Sequence, residues 1–325
     1  MRGICLADGK PRGGLQLALD YAVYVAVRLF VCVIQALPLG FCHEIAKWLA
    51  WLLGDVLRVR GKVVDENLRT AFPESSAAER KAIVRGMWEH LLLMLAEIAQ
   101  TPRKIRRTNW REHGSMPRMA ELTRMLLDER PVVIISGHLG NFEMGGYQMG
   151  LHGFPTHTVA RPLDNRFLHD FVNRFRGATG QHMLPKDGSG PEITELMRRG
   201  GTLVLLGDQN AGPTGCWVDF FGRPASTHKA VSIFTLGSDA PTCFCGMVRT
   251  GGPLEIEGRI TSIVDPLAED FELRTVSEVA QWYTTELEQQ IRESPDQYWW
   301  LHRRWRDDQL DRRTLRRLRK KARAA

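Results

Sequence analysis

The segment VVIISGHLGNFEMGG, residues 132–146, holds the residues whose types and spacing point most directly to chemistry. His138 follows a run of β-branched apolar residues, Glu143 lies five positions later, and Gly137 permits a tight turn between strand and ligand. A carboxylate folded back against an imidazole fixes its tautomer and raises its basicity. We therefore interpret His138 and Glu143 as an acid/base pair. Asn141 is the predicted N-cap of the next helix, and backbone N–H groups of the turn between His138 and Glu143 are the expected donors to an oxyanion.

Polar residues also follow two other apolar runs. TVARPLDN places Arg161 at the end of one run, and VLLGDQN places Asp208 and Gln209 at the end of another. Strand ends that meet at one sheet edge would bring these residues together in a composite site, where Arg161 suits a phosphate or a carboxylate. A buried salt bridge between Arg161 and Asp208 is the structural alternative.

The elements that must position these residues alternate along the chain. The predicted strands are PVVIISG, THTVA, TLVLLGD and PTCFCGMV, and the predicted helices cover residues 119–129, 141–151, 164–178, 190–199 and 226–238. This alternation predicts an α/β fold with a mixed, largely parallel sheet flanked by helices, whose ligand site lies at the carboxyl ends of the strands. Upstream, Ser76 and Glu79 form a capping box that opens a helix through about Ala99, with Pro102 after its end.

An apolar stretch at residues 15–39 is long enough to cross a hydrocarbon core as a helix. Arg28 at its centre costs roughly 2.5–3.5 kcal/mol on insertion scales, which argues against simple spanning. Asp20, Tyr24, Arg28 and Gln35 fall on one narrow stripe of the helix. The pattern predicts a membrane-associated helix, inserted in or along a bilayer, with this stripe facing protein or headgroups.

A cleaved signal peptide is the competing interpretation of this stretch. The apolar run is too long for that role, and no small-residue cleavage site follows it. The next segment carries Trp48 and Trp51 on one apolar face, which is typical of an interfacial helix and almost equally of a buried core helix.

Composition places the charge at the C-terminus. Of the formal net charge of +7 for 325 residues, residues 303–323 supply +8. We expect a division into a membrane-associated segment at 1–60, a catalytic domain at 61–306 and a basic tail at 307–325. The tail suits anionic headgroups, an acidic protein or RNA by charge alone, and a solvated, frayed terminus is the alternative. Aromatic residues before it, Tyr298, Trp299, Trp300 and Trp305, are candidates to hold a lipid interface. Six cysteines without a Cys-x-x-Cys pair indicate a reducing compartment.

Several blocks together resemble a known family. GHLGNFE is similar to the H-x-x-x-x-D/E block of glycerolipid-type acyltransferases, in the Glu form found in bacterial lipid A (lauroyl/myristoyl) acyltransferases. The blocks NLRTAFPE, ARPLDN, GDQN, VDFFGRPAST and PDQYWWLHRRWR extend the resemblance over most of the chain.

The resemblance implies a bacterial enzyme on the cytoplasmic face of the inner membrane. It would move a fatty acyl group from an acyl carrier protein or coenzyme A thioester to a hydroxyl of a lipid acceptor, with neither metal nor cofactor. His138 takes the general-base position and Glu143 that of its orienting partner. The residues expected to bind substrate are Asn141, Arg161, Asp208, Gln209 and Arg223.

Three other functions remain open at this stage. A thioesterase or phospholipase would use the same dyad on water, although the sequence lacks a Gly-x-Ser-x-Gly elbow. A zinc hydrolase is disfavoured because no His-x-x-x-His pair exists. The hypothesis of a membrane scaffold or an RNA-binding protein depends on the basic tail alone. The tail lacks interleaved aromatic residues after Trp305, so we expect no nucleic-acid partner.

Overall fold

The computed structural model describes residues 13–310, so nearly all of the expected basic tail lies outside the described residues. The α-helices in this range are α1 (Gly14–Ala36), α2 (Leu39–Trp51), α3 (Gly61–Ala71), α4 (Ala77–Lys104), α5 (Met119–Leu126), α6 (Glu143–Leu151), α7 (Arg166–Gly177), α8 (Gly190–Arg198), α9 (Ala230–Gly237) and α10 (Val276–Glu293). The strands in the same range are β1 (Gly114–Ser115), β2 (Val132–Ser136), β3 (Thr156–Ala160), β4 (Gln181–Pro185), β5 (Thr202–Leu206), β6 (Cys216–Phe220), β7 (Arg223–Thr227), β8 (Thr242–Arg249) and β9 (Ile256–Val264).

Within residues 13–310, seven strands form one sheet in the order β1-β9-β8-β2-β5-β3-β4, and β6 pairs with β7 in a separate antiparallel hairpin. In the large sheet only β8 and β9 pair antiparallel; every other neighbouring pair is parallel. The predicted mixed, largely parallel sheet flanked by helices is confirmed.

Alternation along β2 explains why the sheet has cores on both faces. Val133 and Ile135 belong to one buried cluster with α10, and Val132 and Ile134 belong to a second cluster with α6. All five residues of β2 are buried, as expected for a central parallel strand covered by helices on both sides. A strand fixed so firmly gives the residue after its last position a precise place at the sheet edge.

Most predicted elements are confirmed, and several were not visible in the sequence. All four predicted strands form, as β2, β3, β5 and β8. The predicted helix at 226–238 begins only at Ala230, because residues 223–227 form β7 of the hairpin. Two strands were not predicted: β4, an edge strand of mixed polarity, and β9, which pairs antiparallel with β8.

Helix α4 begins as predicted and ends later. Ser76 accepts a hydrogen bond from the Glu79 amide, and the Glu79 carboxylate accepts one from the Ser76 amide, which completes the capping box. The expectation that Pro102 follows the end of the helix is wrong, because α4 runs through Lys104. The last turn contacts α1, and these tertiary contacts outweigh the helix-breaking tendency of proline.

The aromatic cluster before the tail belongs to the core. Tyr298 and Trp300 are each 1% exposed, and the edge-to-face contact between their rings has a centroid separation of 4.8 Å. The expectation that this cluster holds a lipid interface is therefore wrong for these two residues. Aromatic composition does not separate a buried cluster from an interfacial one, because both bury large rings with a polar handle.

At the front of the described chain, α1 is long and apolar enough to cross a membrane, with a mean hydropathy of 2.1 over its most apolar window. The helix packs against α4 and α7 and leaves most of its surface exposed. It is a candidate membrane-associated helix, as the sequence predicts. Trp48 and Trp51 of α2 are 59% and 45% exposed, so the core-helix alternative does not hold for them.

Candidate active site

Two neighbouring parallel strands place a histidine and an aspartate side by side. β2 and β5 pair in a register that sets Ser136 opposite Leu206. His138 follows the end of β2 by two residues, and Asp208 follows the end of β5 by the same two residues. Equal offsets from paired positions bring the two side chains together at the carboxyl edge of the sheet, where ligands bind in open α/β sheets.

Two hydrogen bonds tie His138 to Asp208. The imidazole Nδ1 lies 2.7 Å from one carboxylate oxygen, and the backbone N–H of His138 donates to the other oxygen at 2.9 Å. Asp208 is fully buried, whereas the His138 side chain keeps 16% of its surface exposed. With Nδ1 held by the carboxylate as a donor, Nε2 is the nitrogen left to accept a proton from a substrate.

The interaction between His138 and Asp208 shifts their pKa values in opposite directions. Burial by itself lowers the pKa of His138, but the Asp208 charge and hydrogen bond, with a smaller effect of Glu143, raise that pKa above the ordinary histidine value. Burial by itself would raise the pKa of Asp208, yet His138 and, to a lesser extent, His302 hold it well below the usual carboxyl range. Asp208 is thus a permanent anion that strengthens His138 as a base.

The carboxylate of Glu143 occupies a different place from the one expected. Arg176 of α7 binds it in a two-pronged ion pair, with Nε–Oε2 and Nη2–Oε1 distances of 2.9 Å and 2.5 Å. The expectation that Glu143 folds against the His138 imidazole is therefore corrected, because Asp208 fills the position at Nδ1. Glu143 acts on the imidazole only through its charge.

The N-cap assignment for Asn141 is also wrong. Phe142 precedes the first residue of α6 as its cap, and Asn141 lies buried beneath the loop. Its side-chain amide donates to Glu97 of α4 at 2.8 Å. Gly140 bends the chain to allow this, with φ of +61° and its backbone packed so closely on Met247 that a Cβ would collide with it.

A buried ion pair holds this loop from below. Glu97 is fully buried and accepts two hydrogen bonds from Arg249 of β8, at 2.9 Å and 2.6 Å, besides the one from Asn141. Arg249 also donates to Nδ1 of His90 at 2.7 Å, and burial together with the Arg249 charge lowers the pKa of His90 to about 3. His90 is therefore a neutral acceptor, and the charges of the cluster are confined to Glu97 and Arg249.

Several amides expected to form an oxyanion hole are already engaged. The N–H of His138 donates to Asp208, that of Gly140 to the carbonyl of Gln297, and that of Asn141 to the carbonyl of Met247. These three cannot stabilise an oxyanion without losing their present partners. The exposed side-chain amide of Gln209 contacts Nε2 of His138 at 3.5 Å with one N–H, which leaves its second N–H as a candidate donor to an oxyanion.

The remaining predicted substrate-binding residues, Arg161 and Arg223, have partners other than His138 and Asp208. Arg161 is 78% exposed and 3.7 Å from Asp164, so the alternative salt bridge with Asp208 is not formed. It lines a cavity of about 230 Å³ that also contacts Arg176, the partner of Glu143. Arg223 lies in the β6–β7 hairpin and donates to Thr70 of α3 at 3.1 Å.

Comparison with known proteins places the chain in a family. Residues 14–307 match the family described as bacterial lipid A biosynthesis acyltransferase. The chain belongs to this family. It is 25% identical over 299 residues to the lipid A biosynthesis lauroyltransferase of Escherichia coli K12, which covers 88% of this chain and 92% of that protein.

Two further relatives differ in the substrates that their names state. The lipid A biosynthesis palmitoleoyltransferase of Escherichia coli K12 is 23% identical over 259 residues, 77% of this chain and 80% of that protein. The phosphatidylinositol mannoside acyltransferase of Mycobacterium tuberculosis strain CDC 1551 / Oshkosh is 25% identical over 205 residues, 54% of this chain and 64% of that protein. The family match over residues 14–307 establishes an acyltransferase, whereas identities this low do not decide its acceptor.

In this acyltransferase, sequence reasoning missed three residues that shape the site. Arg176 lies in the predicted helix at 164–178, but nothing in the pattern links it to Glu143. Glu97 and Arg249 are 152 residues apart and meet only in the folded chain. A charged residue inside an otherwise apolar helical face was the one signal available for Glu97, since such residues are buried only when they are paired.

The buried support for the loop predicts a stability effect. Asn141→Ala removes one hydrogen bond from the buried Glu97, so we expect a loss of about 1–3 kcal/mol in the free energy of unfolding, measured by urea denaturation. Asn141→Asp should cost more, because it sets a second carboxylate against Glu97. Asn173→Ala in α7 is the matched control with a small expected loss. Equal stability of Asn141→Asp and wild type would contradict this account of the loop.

A second prediction distinguishes the roles of the Glu143 and Asp208 carboxylates. We expect Glu143→Gln to lower kcat/KM for acyl transfer by at most about tenfold, far below the 10²–10⁴ that general-base catalysis contributes, because Asp208 still holds Nδ1. The ascending limb of the pH profile should move slightly to lower pH, since the Glu143 charge helps raise the pKa of His138. A loss of 10²-fold or more in Glu143→Gln would assign the orienting role to Glu143 after all.

Proposed function

We propose that this acyltransferase moves a fatty acyl chain from an acyl carrier protein or coenzyme A thioester to a hydroxyl of a lipid A precursor. One observation carries the chemistry: a buried carboxylate, Asp208, holds Nδ1 of His138, whose side chain stays partly exposed with Nε2 as the remaining ring nitrogen. The lipid A substrates stated in the names of the Escherichia coli relatives support the acceptor class. A glycolipid of another kind, as in the mycobacterial relative's name, is the alternative acceptor.

The transfer is direct and needs no acyl-enzyme. Nε2 of His138 takes the proton of the acceptor hydroxyl as its oxygen attacks the thioester carbonyl carbon. The C–O bond forms, the C–S bond breaks, and the imidazolium returns the proton to the departing thiolate. Asp208 stabilises the imidazolium during this step, and the side-chain amide of Gln209, which lies near Nε2, is the proposed donor to the carbonyl oxygen.

The surroundings of the imidazole suit a lipid substrate. Phe142 and Trp299 pack edge-on to the His138 ring, with centroid separations of 4.8 Å and 5.7 Å. Such apolar walls exclude water from the thioester and favour the alcohol over hydrolysis. In the cavity lined by Arg161 and Arg176, Arg176 is paired with Glu143, so the exposed guanidinium of Arg161 is the group that suits an anionic part of the acceptor or donor.

We also propose that the enzyme works on the cytoplasmic face of a bacterial inner membrane. The apolar α1 supplies a membrane contact. Among the described residues, Cys32, Cys42, Cys216, Cys243 and Cys245 are unpaired, as expected for a reducing compartment.

The test uses the full chain and both donors. Purified protein is incubated with lipid A precursor and either acyl carrier protein or coenzyme A carrying a labelled chain, and the lipids are analysed by mass spectrometry. A mass increment of one acyl group on the precursor supports the proposal. Labelled free acid alone would show a thioesterase instead, and an increment only on another glycolipid would replace the acceptor.

A further inference from the structure

The docking face of α1 runs along the helix. Asp20 is buried, and Tyr24, Val27, Val31 and Ile34 are half-buried at intervals of three or four residues. Positions at this spacing share one face of an α-helix. The helix therefore packs along its whole length against the rest of the protein.

Near its N-terminal end, α1 is fixed to α7. Asn165, the N-cap of α7, donates its side-chain amide to the carbonyl of Asp20 at 2.8 Å. The ring of Tyr24 lies 5.9 Å from Phe167 and 6.3 Å from Phe171, between ring centroids. Arg28 stacks on Phe171 at 5.0 Å and donates to the Tyr24 hydroxyl at 2.9 Å, so its guanidinium contacts protein while remaining exposed.

Near its C-terminal end, α1 is fixed to α4. Gln100 donates to the carbonyls of Ile34 and Leu37 at 2.9 Å each. In return, the side chain of Gln35 donates to the carbonyl of Ala99 at 2.7 Å. Two independent anchors thus hold the two ends of the same helix against one body.

The distance between these anchors decides the orientation. Asp20 and Gln35 are separated by about 22 Å along the axis at 1.5 Å per residue, and a hydrocarbon core is about 30 Å thick. A helix perpendicular to the bilayer would carry one anchor into hydrocarbon together with the charged residues beside it. Those are Asp164 and Arg166 at one end and the exposed Arg103 and Lys104 at the other.

The face of α1 opposite the docking stripe is apolar, and α2, which follows in the chain, has an exposed apolar face of its own. Leu15, Leu29, Phe30 and Val33 are between 57% and 78% exposed on α1. On α2 the exposed residues Phe41, Ile45 and Trp48 recur at helical spacing opposite the buried Cys42, Ala46 and Ala50. Tryptophans at the edge of an apolar surface are typical of the bilayer interface. A lipid bilayer is the occupant that matches an apolar face of this length.

We propose that α1 and α2 form a monotopic membrane-binding surface, in which α1 lies in the plane of the bilayer and does not cross it. This inference rests on the proposed lipid enzyme and adds its mode of attachment. Helix α7 contacts α1 through Asn165 and contacts Glu143, beside the active site, through Arg176. The membrane-binding surface would therefore also set the height of the active site above the lipid.

The topology of α1 is tested with two matched cysteines. Gly13 and Gly40 flank the helix, and both have open space where a side chain would be added. Gly13→Cys and Gly40→Cys are made separately in full-length protein lacking Cys5 and Cys32, and are labelled with a membrane-impermeant maleimide. Labelling is compared between intact spheroplasts and inverted inner-membrane vesicles. We expect both cysteines to react from the same side. Reaction from opposite sides would show a spanning helix and overturn the proposal.

The occupant of the apolar face is tested separately. Leu29→Asp is expected to lower binding to phosphatidylethanolamine/phosphatidylglycerol vesicles at least tenfold, whereas Leu267→Asp, on an equally exposed leucine in a loop after β9, should not change it. Unchanged vesicle binding by Leu29→Asp, with a detergent-solubilised dimer turned into a monomer, would assign the face to a second copy of the chain. Acyl transfer in detergent micelles is measured in parallel. Its absence in wild type would contradict the proposed acceptor and donor, whatever the labelling result.

Discussion

His138→Ala is expected to lower kcat for acyl transfer by about 10²–10⁴-fold, because it removes the group that takes the proton from the acceptor hydroxyl. The same change leaves the carboxylate of Asp208 buried without its partner, which is costly in the folded state. Loss of activity must therefore be separated from loss of fold. Circular dichroism and the unfolding midpoint are recorded for each variant beside the transfer rate.

His138→Gln makes this separation sharper. A glutamine amide can still donate to Asp208 but cannot serve as a base at neutral pH, so we expect a variant as inactive as His138→Ala and more stable than it. His182→Ala, on an exposed histidine of edge strand β4, is the control with wild-type rates. A folded His138→Gln protein with at least a tenth of wild-type turnover would remove the general-base assignment.

The two residues of the proposed dyad were visible in the sequence, but their pairing was not. The apolar runs before His138 and Asp208 correctly indicate two strands, and both residues were expected at strand ends. The partner was misassigned because nearness in the chain favoured Glu143, whereas the register of β2 with β5 decides which residues meet. A single sequence carries little information on which parallel strands are neighbours, because the pairing depends on contacts between distant segments.

The same limit explains the other residues that were misread. Arg304 belongs to the basic segment 303–323, whose charge suits an acidic protein, yet it is 1% exposed and donates to Ser226 and Thr227 inside the fold. Its neighbours in the sequence are mostly basic, and basic segments are usually exposed to solvent, so composition alone predicts that Arg304 lies on the surface. The polar stripe of α1 was read correctly, because helical periodicity is a local property, and it does face protein.

Asp208→Asn is the second large effect expected, and it also tests how the site is tuned. The asparagine keeps the size of the side chain and loses the charge that raises the pKa of His138. We expect kcat to fall by roughly 10²–10⁴-fold, because an uncharged partner neither stabilises the imidazolium nor secures the tautomer with its proton on Nδ1. Asp187→Asn, on an exposed aspartate after β4, is the control.

The pH dependence gives the sign of the effect. A general base works when it is neutral, so wild-type kcat/KM should rise as pH passes through the raised pKa of His138, above the ordinary value of 6.5. Without the negative charge of Asp208, burial and the remaining groups act alone, and the pKa of His138 falls. The ascending limb of the profile in Asp208→Asn should therefore move to lower pH while its plateau drops. A limb that moved to higher pH, or a limb that stayed in place with the plateau unchanged, would show that Asp208 does not tune the base. The same shift appearing in Glu143→Gln but not in Asp208→Asn would transfer that role to Glu143 and its partner Arg176.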